Sequence, residues 1–325
     1  MPSKHVLVLR FSALGDVAIL QPVVRQRAEA NPDVRFTVAA PKLAQPLFDG
    51  IPNVTYHPID KHWPFSEIWR SLHGLKPDAV ADMHGVVRTL RLDARFRLCG
   101  VPVFRIDKQR SERRRLLRAD GKDLSPLKPS WQRYDEVFDR MGLAGKTATG
   151  GYMGQLLSDD GFRRIGIAPF AQHEGKVWPL EYVARLIDLL VQDSRNRLFL
   201  FGSKEEAEVL NRLAARYVST VKVCAGMGSL ADEMRVMRSL NVLLSMDSAN
   251  MHIASCLSVP VVSIWGATHP AAGFYGWRQR PEWAMQADMP CRPCSMFGQK
   301  ACRYGDRRCL KAIAPERVAA RLMEF

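Results

Sequence analysis

Strand-length apolar runs, separated by stretches with helical patterning, recur along the whole chain. That alternation limits the folds open to it. In the first half, strands are predicted at His5–Phe11, Val34–Ala40, Val54–Ile59, Asp78–Met83 and Pro102–Ile106. In the second they are predicted at Arg164–Phe170, Arg197–Gly202, Val221–Ala225, Asn241–Asp247 and Pro260–Gly266. Several are nearly continuous in Val, Leu and Ile, as suits parallel strands buried on both faces. Between them, Pro179 suits a first helical turn. Val183, Leu186, Ile187, Leu190 and Val191 then form one apolar stripe at helical spacing. A helix is also expected over Asp16–Ala30, with Pro22 as a kink, and another over Ala314–Phe325. Strand and helix alternate in both halves, which predicts two doubly wound α/β domains. The 325 residues agree, at roughly 150 residues per domain. The seam is expected within Gly142–Gly161, where TATGGYMGQ interrupts the periodicity. That gives domains 1–155 and 156–325.

Composition removes other classes. With 47% hydrophobic and 25% charged residues, the chain is neither disordered, collagenous nor a disulfide miniprotein. It has no apolar run of about 18 residues, so no transmembrane helix is expected. Met1 to Arg10 runs straight into a strand pattern, an opening that predicts no signal peptide. Seven cysteines without an export signal predict a reducing cytosol. The net charge of +14 favours a polyanionic partner: nucleic acid, an anionic membrane surface or a phosphorylated substrate. Part of the excess is local, with twelve Lys/Arg against five Asp/Glu between Asp82 and Lys122. A solvated, salt-bridged face explains such a run equally well.

Ligands of open α/β sheets bind beyond the carboxyl ends of the strands, and that rule selects four segments. The first is Arg10–Asp16 (RFSALGD), where Asp16 is either a general base or a helix-terminal carboxylate complementing the dipole. The second is Ala168–Pro179 (APFAQHEGKVWP), where Lys176 either neutralises a phosphate or is a plain loop lysine. The third is Met246–His252 (MDSANMH). Here Ser248, Ala249 and Asn250 would present helix N-terminal amides and Asp247 would order the turn or bond a sugar hydroxyl; His252 also suits simple packing. The fourth is Gly226–Ala231 (GMGSLA), which matches a dinucleotide glycine pattern. That fingerprint normally opens the first unit of its domain, whereas this one follows the third strand of its half. Separately, Cys291, Cys294, Cys302 and Cys309 have spacing compatible with one structural tetrahedral zinc, or with free thiols or a disulfide.

Together these segments resemble glycosyltransferase family 9, the ADP-heptose:lipopolysaccharide heptosyltransferases. FSALGDVAILQPVVR resembles the family's S-x-L-G-D loop and helix, and DMHGVVRTLRLDARF its D-x-x-G-x-x-R/K-S/T segment. APFAQHEGKVWP resembles its P-G-A-x-x-x-x-K-x-W-P element, with Phe170 replacing the usual Gly. DSANMHIASCLSVPVVSIWGATHP resembles its carboxyl-terminal D-S/T-x-x-x-H signature. The matches are collinear and span nearly the whole chain.

The resemblance implies the GT-B fold, two Rossmann-like domains facing across a cleft, with the last helix crossing back toward the first domain. It implies an inverting, metal-independent transfer from an ADP-sugar to a lipopolysaccharide inner-core acceptor. No cofactor is required, and no D-x-D stands at a strand end to hold a metal–diphosphate. Asp16 becomes the catalytic base and Lys176 the stabiliser of the leaving diphosphate. Donor contacts fall to Gln172, Lys176, Glu206, Met227, Gly228, Asp247, Ser248, Ala249, Asn250 and His252. Acceptor contacts fall to Ser12, Gly15, Arg88, Arg91, Arg113 and Arg114, since arginine pairs well with carboxylates and phosphates. The expected partners are the ADP-sugar, the anionic acceptor and the cytoplasmic face of the inner membrane, with no nucleic acid. A Rossmann oxidoreductase using GMGSLA and a noncatalytic polyanion-binding protein are the alternatives.

Overall fold

The computed structural model describes residues 4–118, 120–148 and 160–325. The chain divides into two units. The first comprises residues 1–109 and 128–149; the second comprises residues 110–127 and 150–325. The expected boundary at 155/156 lies outside the described residues.

The first unit contains β1 (Lys4–Leu9), α1 (Leu14–Ala30), β2 (Val34–Ala40), β3 (Val54–Pro58), α2 (Phe65–His73), β4 (Ala79–Asp82), α3 (Val87–Leu98), β5 (Val103–Arg105) and, after the excursion of 110–127, α5 (Ser130–Arg140). Its five strands are all parallel, in the order β3-β2-β1-β4-β5. Val6, Leu7, Val8 and Leu9 of β1 are fully buried, because the central strand is covered on both faces. Helix α1 runs through Pro22 as one element, with Pro22 buried. Arg27, also on α1, is fully buried yet fully paired. It reaches Asp135 at 2.7 Å, Asp139 at 2.7 Å and the Leu143 carbonyl at 2.9 Å, which ties α1 to α5.

The second unit opens with α4 (Arg110–Leu116) and resumes with β6 (Arg163–Ala168), α6 (Leu180–Leu190), β7 (Asn196–Leu200), α7 (Ala207–Ala214), β8 (Val221–Val223), α8 (Leu230–Met237), β9 (Val242–Met246), α9 (Ala249–Cys256), β10 (Val261–Trp265), β11 (Ala284–Gln286), α10 (Arg308–Lys311) and α11 (Pro315–Leu322). Its sheet is again parallel, in the order β11-β10-β9-β6-β7-β8. The apolar stripe of α6 is buried, as its spacing predicts. The strand β11 is too short to leave a periodicity in the sequence.

Two expectations meet a different arrangement. Residues 110–127 were expected in the first domain. Instead Leu116 and Leu127 form a small core with Ala271, Ala272 and Met296 of the second unit. The last helix was expected to return to the first domain, but Val318 and Leu322 of α11 are buried in the second unit's main core. Glu316 also reaches Arg185 of α6 at 3.1 Å.

Candidate active site

In each sheet the chain starts at an inner strand, builds outward on one side and then crosses to the other. The crossing leaves a switch point, between β1 and β4 in the first sheet and between β6 and β9 in the second. Loops diverge there, which opens a crevice at the carboxyl ends of the strands.

At the first switch point the loop after β1 carries Arg10 and Ser12, and Asp16 lies in the first turn of α1. Asp16 Oδ2 accepts from the Ala13 amide at 3.3 Å and pairs with Arg10 Nη2 at 2.6 Å. The carboxylate therefore both closes the helix start and is held by a guanidinium. Arg10 is itself pinned, donating to the Met83 carbonyl at 2.6 Å and lying 5.8 Å from the centre of the Tyr134 ring. Across the switch point, Ser12 Oγ bonds His84 Nε2 at 3.2 Å. The His84 loop is fixed from below: buried Asp82 accepts from the His84 and Gly85 amides at 2.8 and 2.9 Å. Asp93 shares this buried region with Asp82, and Arg105 donates to it at 2.6 Å.

Burial, with Arg10 and Lys108 nearby, pushes the His84 imidazole down to about 3. Burial, with the charge of Asp82 next, pushes Asp93 up to about 6. The two act on stability in opposite senses. His84 titrates lower in the fold than in the open chain. Its contribution, roughly a few kcal/mol, is whole above about pH 6.5 and is lost as pH falls toward 3. Asp93 is raised, so its contribution is whole below 3.8 and is lost as pH rises through about 6. His84→Gln should therefore lose less stability than the parent between pH 6.5 and pH 4 in denaturant titrations. Parallel acid limbs for the two proteins would contradict this assignment.

At the second switch point a short helical turn over Glu174–Lys176 follows β6 and presents Lys176. Its ammonium meets Asp247, at the end of β9, at 2.9 Å; Asp247 is 6% exposed and Lys176 15%. Thr268, after β10, donates to the same Asp247 oxygen at 2.7 Å. Asp247 uses one of the three ammonium donors, which leaves two for a ligand. Beside them Ser248 stands at the N-cap position of α9, its Oγ 3.2 Å from that of Ser245. The first turn of α9 has the unbonded amides of every helix start, and Ala249 and Asn250 stand in it.

Gly298 accounts for the close fit over Lys176. Its φ is +83°, and a Cβ there would lie 2.8 Å from the lysine side chain. Arg292 braces the neighbouring loop. Buried, it donates to the Gly266 carbonyl at 2.6 Å and the Thr268 carbonyl at 2.9 Å. Neither residue was foreseen, because Arg292 sits inside the CxxC pair and Gly298 in an irregular loop.

The remaining residues expected to contact the donor follow the edge of the same sheet. Glu206, after β7, accepts from the Ser203 amide at 2.7 Å. Met227 and Gly228 follow β8, with Met227 61% exposed. Strands lie ~4.8 Å apart, so the line from β9 through β6 and β7 to β8 covers about 14 Å. GMGSLA thus serves an edge strand and runs through the Ser229 cap into the first turn of α8, away from the switch point. Gln172 is exposed and His252 is buried on α9.

The six residues expected to contact the acceptor are divided between the units. Ser12, Gly15, Arg88 and Arg91 belong to the first unit, and Arg113 and Arg114 to the second. Arg88 donates to the Lys61 carbonyl. Arg91 lies 4.3 Å from the centre of the Phe65 ring, and Arg113 lies 5.6 Å from that of Phe274.

Among the described residues no three His, Cys, Asp or Glu side chains are grouped to hold a metal ion. The loop of Cys291 and Cys294 is organised around the inward-pointing Arg292 instead. Burial keeps Cys294 protonated, pushed up to about 11, and raises Cys309.

Residues 133–302 match the model of glycosyltransferase family 9 (heptosyltransferase). The chain belongs to that family. This membership sets aside the oxidoreductase and the noncatalytic alternatives. Among family members, the lipopolysaccharide core heptosyltransferase OpsX of Haemophilus influenzae is 24% identical over 295 residues, covering 82% of this chain and 80% of OpsX. Among solved structures, E. coli heptosyltransferase WaaC with ADP superposes with a TM-score of 0.71 at 22% identity, covering 98% of this chain and 99% of WaaC. WaaC with ADP-2-deoxy-2-fluoro heptose gives 0.66 at 22% identity, with the same coverage. With its two parallel-sheet units, this glycosyltransferase has the GT-B fold.

Proposed function

We propose that this family 9 enzyme transfers a heptose from ADP-heptose to an anionic inner-core saccharide of lipopolysaccharide, inverting the anomeric centre. The observation that carries the reading is the Lys176–Asp247–Thr268 cluster beside the start of α9 at a switch point. Its relatives agree: OpsX is a lipopolysaccharide core heptosyltransferase, and WaaC has been solved with ADP and with an ADP-heptose analogue.

In this reading Asp16 takes the proton of the acceptor hydroxyl as its oxygen attacks the anomeric carbon. The bond from that carbon to the diphosphate oxygen breaks, and the electron pair leaves with ADP. Lys176, Ser248 and the α9 amides of Ala249 and Asn250 meet that charge where it develops. This lysine and the amides do the work a metal ion does elsewhere, and the reading needs no organic cofactor. Glu206 holds the ribose, Met227 and Gly228 meet the adenine, and Asp247 orders the cradle; Gln172 and His252 complete the donor contacts. Ser12 and Gly15 shape the acceptor loop.

The same enzyme works at the cytoplasmic face of the inner membrane. No helix among the described residues is long and apolar enough to cross a bilayer, so contact is peripheral. Helix α3 supports it. It carries Arg88, Arg91, Arg95 and Arg97, and it exposes Val87 at 76% and Leu98 at 86%. Cations beside exposed apolar groups suit an anionic headgroup layer, at about 1 kcal/mol per Arg.

One experiment tests both parts: the protein, ADP-heptose and an inner-core lipid acceptor in anionic vesicles. Mass spectrometry should find one heptose added, and the protein should sediment with anionic but not neutral vesicles. Arg91→Glu with Arg95→Glu should reduce sedimentation several-fold. Transfer from another nucleotide-sugar but none from ADP-heptose would remove the donor assignment. Equal sedimentation with both vesicle types would remove the membrane contact.

A further inference from the structure

Of the buried arginines of the first unit, Arg10 and Arg27 are ion-paired, and Arg133 makes no ion pair among the described residues. It lies on α5, 2% exposed. Its side chain makes one hydrogen bond among the described residues, from Nη2 to Ser130 Oγ at 2.6 Å. Among the described residues its buried Nε has no partner and no carboxylate stands within ion-pair distance. Arg27, buried in the same unit, has two carboxylates and backbone carbonyls around it. A fold that satisfies one arginine so fully and leaves another with a single hydroxyl has left a cation for something else to meet.

The place matters as much as the deficit. Tyr134, next along α5, lies under the guanidinium of Arg10, and Arg10 holds Asp16 at 2.6 Å. Asp16, Asp107 and Arg10 all act electrostatically on Arg133. The neighbourhood of the expected base thus holds two buried guanidiniums, and Asp16 forms an ion pair with that of Arg10. Burial lowers the proton affinity of Arg133, as an uncompensated charge requires.

We infer that Arg133 binds an oxyanion of the acceptor, a carboxylate or a phosphate on the sugar next to the hydroxyl that is glycosylated. The planar fork of arginine meets either group through parallel N–H bonds. The inference rests on the acceptor assignment made above and gives it a specificity residue. Arg133, which interacts electrostatically with Asp16, takes the role of reader of acceptor charge expected of Arg91, itself stacked on Phe65.

Calorimetry and kinetics on Arg133→Met and Arg133→Lys test it, with a 2-keto sugar acid glycoside, its carboxyl-reduced alcohol and a sugar phosphate as probes. The parent should bind one of the two anions at least tenfold more tightly than the alcohol, and which anion it is names the source. Arg133→Met should bind all three alike. In transfer assays its acceptor KM should rise about 10²-fold, with donor KM and the ADP-induced rise in Tm unchanged. Arg133→Lys, which keeps the charge without the fork, should recover part of the loss. The ligand-free Tm of Arg133→Met should equal or exceed the parent's, because the variant removes a buried charge that has no counter-ion. Anion binding by Arg133→Met equal to the parent's, or a lower Tm with binding intact, would make Arg133 a structural brace and overturn the inference. Arg133-dependent anion binding without sugar transfer by the parent would instead overturn the transferase substrate reading and leave this one standing.

Discussion

Asp16→Asn should lower kcat for sugar transfer by about 10³-fold, within the range general bases contribute, while donor binding stays unchanged. The amide matches the carboxylate in shape. Its oxygen can still accept from the Ala13 amide and from Arg10, so the start of α1 and the loop after β1 keep their form. What it cannot do is take a proton from an attacking hydroxyl. The rise in Tm with ADP should match the parent's, since the residues assigned to the diphosphate belong to the second unit. Both variants lose the charge that pairs with Arg10; Asp16→Ala should in addition lose the hydrogen bond at the helix start, a further cost of about 1 kcal/mol of stability. Stability assays on the two variants therefore separate the capping role from the chemical one. Turnover by Asp16→Asn within tenfold of the parent would leave Asp16 with the capping role alone.

Lys176→Ala should be damaging in two measurable ways. It leaves Asp247, 6% exposed, with Thr268 as the partner that remains among those described here. Breaking a buried ion pair from one side costs about 3–5 kcal/mol, so the ligand-free protein should melt several degrees lower. It also removes the ammonium that meets the leaving diphosphate, for a loss of about 10²–10³-fold in kcat. The ADP-induced rise in Tm should shrink strongly. Lys176→Met combined with Asp247→Asn distinguishes the two effects. That pair removes both charges, so most of the stability should return while transfer stays lost. Recovery of transfer together with stability would show that the lysine matters only as a counter-ion.

The strands and α6 were legible in the sequence because burial on two faces demands unbroken apolar runs, and burial on one face demands a helical stripe. Lys176, Asp247 and Ser248 were legible because switch-point loops follow their strands directly, so sequence adjacency already places them at the sheet edge. Asp16 was legible as either a base or a helix-terminal carboxylate, and the geometry shows its hydrogen bond at the helix start and its ion pair with Arg10. Cysteine spacing left zinc, free thiols and a disulfide open, and it gave no sign of Arg292, whose buried guanidinium bonds the Gly266 and Thr268 carbonyls beside Cys291 and Cys294. Arg113 and Arg114 were assigned to the wrong unit because Leu116 and Leu127 find their apolar partners in residues far along the chain.

The sequence by itself determined two parallel α/β units and the loops that could carry chemistry, since both follow from periodicity and from what stands next to each strand end. Only the tertiary structure decided which charges are paired. Arg27 and Arg133 look alike in sequence, but one is surrounded by carboxylates and the other meets a single hydroxyl. Charge pairing depends on contacts between residues remote in the chain, and periodicity carries no record of them.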